Sequence, residues 1–292
     1  MENIKYILFI AALGILSLVL SSCDKDPVFI NGNYRYENGD LSYMENYDGM
    51  LVHWADFATE EQKEVVREIV TSMVRVEGGT FSMGSDDDWA NADEAPVHSV
   101  TLSDYRIAKY TITQKQWKLI MGYELKWNPS LGVGDDYPAT LFSTQQVDDF
   151  IDKLYALSGL RFRKPTEAEW EYAAKGGKQT HGYLYSGSDN PDEVAWHQGN
   201  AYTQIHPVGQ RQPNELGLYD MSGNVWEWCE DHYAPYSPGD QTNPVAHEGS
   251  YRVVRGGSIS YEAVYSRTTQ RSPANPYVQS FNIGMRLAMS IE

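Results

Sequence analysis

The sequence predicts an α+β domain rich in ordered loops, and three observations carry that reading. Hydroxyl residues followed three positions later by Gln or Glu open several segments of helical apolar spacing within the first 177 residues. Short stretches of alternating polar and apolar residues lie among them, as half-buried strands require. Residues 178–292 lose helical period and turn rich in Gly, Asn, Pro, Ser and aromatics, the residues of structured turns. No internal repeat and no second domain boundary is visible, so one compact domain with little regular secondary structure is expected.

The chain opens with Lys5, an apolar run from Tyr6 to Leu20, and then Leu20-Ser21-Ser22-Cys23. A basic start, a short apolar core and small residues before a cut site describe a secretory signal over residues 1–22. The run is too short to cross a bilayer comfortably. Its ending resembles a bacterial lipobox, which implies cleavage before Cys23 and lipid on that thiol; the plainer alternative is an ordinary signal followed by a stray cysteine. Lipidation would place the protein at the bacterial cell envelope, anchored rather than spanning. Residues 23–57 are polar and rich in Tyr, Asn and Gly, and read as a tether and irregular collar. With Cys23 lipidated, Cys229 is the one remaining thiol, so no internal disulfide is expected, and no Cys/His spacing fits zinc.

The next elements follow in order. Thr59-Glu60-Glu61-Gln62 is a capping box, and Val65, Val66, Ile69, Val70 and Met73 continue at helical spacing, so residues 58–75 form an amphipathic helix packed on the main domain. From there to residue 292 runs the domain itself. Val76 to Gly84 reads as a strand or hairpin, and Val97 to Thr101 alternates as a strand. Between them Asp86, Asp87, Asp88, Asp93 and Glu94 form an acidic loop, by default solvated, with a metal site as the sharper option. Thr113 and Ser143 open two further capped helices, the second carrying Val147, Phe150, Ile151, Leu154 and Leu157 on one face. Thr166 to Glu169 opens another, which ends at Gly176-Gly177. Beyond it no helix is persuasive, and strands are expected at Arg252–Val254 and Met285–Met289.

Gly217 to Trp228 holds two acids, two glycines and an amide among aromatics, with neither helical nor strand period. It reads as an ordered loop anchored by tryptophans. Asp220 and Glu227 would turn carboxylates toward one cation, with loop carbonyls completing an oxygen shell suited to calcium. The bland alternative is a turn whose acids cap neighbouring amides.

Composition removes some functions. About 270 residues remain after a signal, enough for a single large core. A formal net charge of −17 argues against nucleic-acid binding and against electrostatic adhesion to anionic lipid. Aromatics are abundant, with 21 Tyr and 8 Trp.

Six motifs then occur in series. They are Val76-Glu77-Gly78-Gly79-Thr80-Phe81-Ser82-Met83-Gly84; Arg163-Lys164-Pro165-Thr166-Glu167-Ala168-Glu169-Trp170-Glu171-Tyr172-Ala173-Ala174; Pro213-Asn214-Glu215-Leu216-Gly217-Leu218-Tyr219-Asp220; Gly223-Asn224-Val225-Trp226-Glu227-Trp228; Arg255-Gly256-Gly257-Ser258; and Gly284-Met285-Arg286. Together they resemble the formylglycine-generating enzyme family, also called the sulfatase-modifying factor family. The resemblance covers about Val74 to the C-terminus and implies its C-type-lectin-like topology. It implies a structural calcium ion held by the side chains of Asp220 and Glu227 and the main-chain oxygens of Gly223 and Val225. A second family calcium site would fall near Val194, Ala195, Asn200 and Tyr202, where Val194 replaces an oxygen donor.

Active members of the family oxidise a substrate cysteine with a Cys-x4-Cys pair that binds copper. Counted back from Gly284-Met285-Arg286, that pair falls on Ala263 and Thr268, neither of which carries sulfur. A methyl cannot bind metal and a hydroxyl suits Cu(I) poorly, so no copper is expected. The six histidines after position 90 are scattered, and no His-x3-His pair offers a substitute iron site. The resemblance places a ligand-binding cleft at Trp226, Ser258, Tyr261, Tyr265, Arg267 and Arg271. The two arginines there would either grip a carboxylate, sulfate or carbonyl, or pair with interior acids. The expectation is a pseudoenzyme: an envelope lipoprotein using the scaffold to bind or assemble a protein or glycan partner. The alternative is an enzyme using the same cleft for chemistry independent of the cysteine pair.

Overall fold

The computed structural model describes residues 43–291 and, before them, the backbone of four short strands, Phe9–Ala11, Gly14–Leu16, Pro27–Ile30 and Asn33–Tyr36. Cys23 and most of the expected signal segment lie outside the described residues. Among the described residues no helix is long and apolar enough to cross a membrane.

The collar is more regular than its composition indicated. Pro27–Ile30, Asn33–Tyr36, Tyr43–Tyr47 and Met50–His53 form a four-stranded antiparallel meander. Its last hairpin closes on Asp48-Gly49, both left-handed at φ +49° and +86°, the backbone a two-residue hairpin demands.

Helix α1, Glu60–Thr71, begins at the expected capping box of Thr59 and Gln62 and buries Val65, Val66, Ile69 and Val70. Helix α2, Gln114–Met121, and helix α3, Thr144–Ser158, begin with capping boxes at Thr113 and Ser143 and end on the left-handed glycines Gly122 and Gly159. The three helices share one core, where Trp117 stacks on Phe142 and Phe150 at ring separations of 4.7 and 5.6 Å. Helix α4, Glu167–Ala174, is buried along its whole length, so it is a core helix without a wet face. A four-residue helix α5, Pro191–Val194, lies in the region where none was expected.

Three small sheets surround α4. Ala288–Ser290, Tyr105–Ala108 and Met73–Val76 form one, antiparallel throughout. Gly79–Met83 pairs antiparallel with His98–Leu102, which takes Gln241–Thr242 in parallel. The central sheet runs Arg271–Ala274, Arg252–Arg255, Trp226–His232 and Ile283–Gly284. The structure departs from the sequence expectation at two places. Trp226-Glu227-Trp228 is strand rather than loop, since it is buried on both faces and shows the continuous run of a central strand instead of alternation. Of the expected Met285–Met289 strand only the end is strand, within Ala288–Ser290, and Ile283–Gly284 just before it belongs to a different sheet.

Candidate functional site

The loop from Gly217 to Val225 reaches its shape through left-handed residues: Gly217 at φ +77°, Asp220 at +56°, Gly223 at +81° and Asn224 at +61°. Gly223 is required by space as well, because a Cβ there would lie 2.3 Å from the Trp196 carbonyl oxygen. Asn224 locks the approach: its N–H donates to that carbonyl at 2.8 Å, and its side chain exchanges hydrogen bonds with the His206 backbone at 3.0 and 3.1 Å. Trp196 is clamped between the His206 ring and the Arg211 guanidinium, each 3.6 Å from its ring centre.

The two acids of this loop have different fates. Glu227 is fully buried on the central strand, and both carboxylate oxygens are occupied. Arg286 donates to it through Nε at 2.9 Å and Nη2 at 2.7 Å, Trp170 Nε1 donates at 2.7 Å, and Thr111 Oγ1 donates at 3.2 Å. Asp220 is buried too, yet only Oδ2 is engaged, accepting from the Gly209 N–H at 2.8 Å, while Oδ1 has no partner. Burial pushes the Asp220 carboxyl up to about 6. Asp220 thus keeps one buried oxygen that a cation could use, whereas the charge of Glu227 is already matched by the Arg286 guanidinium. Among the described residues no group of three or more His, Cys, Asp or Glu side chains converges as a metal shell. At the second calcium position Asn200 is spent on Asp192 and on the main chain of Ala195 and His197, and Tyr202 is 84% exposed.

The two cleft arginines resolve the other way from a ligand grip. Arg267 is 1% exposed and makes a bidentate pair with Glu94 at 2.8 and 2.9 Å, adding Gln270 Oε1 at 2.8 Å. Arg271 pairs with Glu167 at 2.6 and 2.8 Å and donates to the carbonyls of Asp93 and Ala234. Arg255 is paired with Glu171 and approaches Glu167 at 3.4 Å. These forks stitch the acidic loop, α4 and the central sheet together and leave no open guanidinium for a substrate. The acidic loop is accordingly mixed: Asp86, Asp87 and Asp88 are exposed as expected, whereas Glu94 is wholly buried. The sequence placed Glu94 in the acidic loop and Glu167 in a family motif, but nothing local marked either as the partner of a buried arginine.

Four of the six cleft residues do come together. Trp226, almost buried, meets Tyr261 edge-on at 5.7 Å, and Tyr261 meets Tyr265 at 5.4 Å. Ser258 is buried beside them and accepts from Asn282 Nδ2 at 3.2 Å. Ala263 begins a short 3-10 turn through Ser266 and is half-buried. Thr268 is buried, with its N–H donating to the Leu184 carbonyl at 3.0 Å. Cys229, the one free cysteine among the described residues, sits at zero exposure in the strand beneath. Burial, together with Glu167 nearby, pushes its thiol well above the usual range, which suppresses thiolate chemistry. Asp231 lies two residues on, accepting from the N–H groups of Glu167 at 2.7 Å and Ala246 at 2.8 Å. Burial, helped by the Glu167 charge, pushes the Asp231 carboxyl up to about 7.

This arrangement of motifs matches the model of a Sulfatase-modifying factor enzyme 1-like domain over residues 58–291. The chain belongs to that family. Helix α1 thus falls inside the matched region. The chain is 34% identical over 236 residues to "Chaperone protein LppX" of Paenibacillus barcinonensis, covering 63% of this chain and 77% of that one. It is 30% identical over 256 residues to "Serine/threonine-protein kinase pkn1" of Chlamydia pneumoniae, covering 80% of this chain but only 40% of that protein. Among solved structures it resembles "Treponema denticola variable protein 1" with a TM-score of 0.66 and 26% identity, covering 84% of this chain and 98% of that one.

Proposed function

We propose that this chain is a non-catalytic binding or assembly module for a protein or glycan partner, anchored at the bacterial cell envelope by lipid on Cys23. One observation carries the reading: Ala263 and Thr268 stand at the counted cysteine positions, and Cys229 is wholly buried. A soft metal needs thiolate or thioether donors, which a methyl and a hydroxyl do not supply. What the cleft residues offer instead is exposed aromatic surface, with Tyr261 and Tyr265 about two-fifths exposed at 41% and 39%. The similarity to a protein named as a chaperone supports an assembly role. The kinase name attached to the chlamydial relative belongs to a protein more than twice the length of the shared region, and no kinase activity is proposed here. As part of the same reading, calcium is proposed as a structural ion held by Asp220 with the main-chain oxygens of Gly223 and Val225, without Glu227.

The test is mass spectrometry of a cysteine-containing peptide incubated with the purified chain, Cu(I) and oxygen. No mass change at the cysteine is expected. An aldehyde product would overturn the non-catalytic reading and favour an enzyme with its own metal chemistry.

A further inference from the structure

Exposed aromatic residues lie on three segments that the fold brings together, and the exposed charges of those segments have one sign. Starting at the buried Trp226, ring contacts lead through Tyr261 to Tyr265. Tyr265 is next to Val264, whose carbonyl accepts from Arg267 Nε at 2.7 Å, and the same Arg267 guanidinium lies 4.5 Å from the centre of the Trp89 ring. The Leu184–Thr268 backbone bond at 3.0 Å brings the segment of Tyr183 alongside, where the Tyr183 ring meets His181 at 5.5 Å. Trp89, Tyr183, Tyr261, Val264 and Tyr265 are each between 37% and 42% exposed, and the touching rings of Tyr261 and Tyr265 turn joint apolar surface to solvent. Exposed rings that touch one another offer a face for an interaction partner.

The exposed charges of these segments are acidic. The segments that form the surface, residues 85–94, 181–189 and 258–268, contain Asp86, Asp87, Asp88, Asp189 and Glu262 as exposed acids. Their single Arg or Lys is Arg267, which is buried and paired with Glu94. Aromatic faces attract guanidinium and ammonium groups, and carboxylates at the rim fix and steer them. The surface already holds one such contact, Arg267 over Trp89.

We infer that this face is a docking surface for a cationic polypeptide segment, whose Arg or Lys side chains lie against Tyr261, Tyr265 and Trp89 while Asp86, Asp87, Asp88 and Glu262 neutralise them. The inference rests on the binding-module reading and narrows its partner. A neutral glycan would leave the carboxylates unmatched, and a nucleic acid would be repelled by them.

The experiment measures fluorescence anisotropy of three labelled probes against the full chain: an alternating Arg-Ser peptide, an alternating Glu-Ser peptide and a chitin oligosaccharide. The Arg-Ser peptide binds, and the double variant Y261A/Y265A weakens it about tenfold, as loss of two half-exposed cation–aromatic contacts requires. A variant with Asp86→Asn, Asp87→Asn, Asp88→Asn and Glu262→Gln weakens it at least as much. A charge-matched control with Asp56→Asn, Glu60→Gln, Glu61→Gln and Glu64→Gln, on and beside α1, leaves binding within twofold. The altered tyrosines and acids are exposed, and an unchanged melting temperature verifies that each variant is folded. The inference is overturned if the Arg-Ser peptide does not bind, if Y261A/Y265A leaves its affinity unchanged, or if the α1 control weakens it equally. Oligosaccharide binding that is lost in Y261A/Y265A, with no Arg-Ser binding, would also overturn it while leaving the binding-module reading intact. Aldehyde formation on a cysteine peptide would overturn that reading instead.

Discussion

Replacing Glu227 with Gln separates its two possible roles. In the structure Glu227 is the counter-ion of Arg286, and both are fully buried. Gln keeps one acceptor oxygen, but it removes the charge and turns an NH2 toward donors that the carboxylate formerly accepted from. Arg286 would still donate to the carbonyls of Ala108 and Tyr219, each at 2.7 Å, with no charge opposing its own. Leaving one member of a buried pair uncompensated costs about 3–5 kcal/mol. For a domain of this size that corresponds to a fall in melting temperature of roughly 10 °C. The assay is thermal unfolding of Glu227→Gln and of Asp220→Asn, each in excess calcium and in excess chelator. Glu227→Gln should lose the same stability in both buffers. Asp220→Asn should abolish the difference between the buffers, because that difference follows ligand binding to the native state alone. The reasoning fails if the Glu227→Gln loss appears only with calcium, or if it stays under about 1 kcal/mol in chelator, well short of the buried-pair cost.

The remaining predictions concern the same core. Asp231 holds its proton to about pH 7 when folded, well above an unfolded aspartate, so the native state binds more protons than the unfolded state between about pH 4 and 7. Its contribution to stability therefore falls as pH rises through that window, and Asp231→Asn should flatten the decline in urea midpoint between pH 5 and 8; an unchanged slope would refute the assignment. Gly223→Ala would drive a methyl to 2.3 Å from the Trp196 carbonyl and into a left-handed backbone, so loss of more than about 3 kcal/mol is expected in denaturant titration. A loss below about 1 kcal/mol would show that the loop yields. Ser143→Ala removes the N-cap of α3 and should cost about 1 kcal/mol in the same titration; no loss would mean the cap contributes nothing.

Local chemistry made much of the fold legible. Thr59, Thr113, Ser143 and Thr166 each cap the helix that their sequence context indicated, because a capping box is complete within four residues. The apolar stripe of α3 is likewise a property of one segment. Two features escaped although a signal was present: the Asp48-Gly49 hairpin, whose dipeptide favours that turn, and the Trp226–His232 strand, whose continuous burial hides the alternation of a half-wet strand. The site was legible as a set of positions more than as a set of roles. Trp226, Ser258, Tyr261 and Tyr265 do gather on one face, while Arg267 and Arg271 turn inward.

Residue order alone specified the capped helices, the family motifs and the lack of sulfur at Ala263 and Thr268, since each is written within a short window or at a single position. Which carboxylate meets which guanidinium was settled by three-dimensional packing. Glu94 finds Arg267 across 173 residues, Glu167 finds Arg271 across 104, and Glu227 finds Arg286 across 59. No local pattern encodes such pairings. They form because a charge taken out of water must find its opposite nearby, and only the folded chain determines what is near.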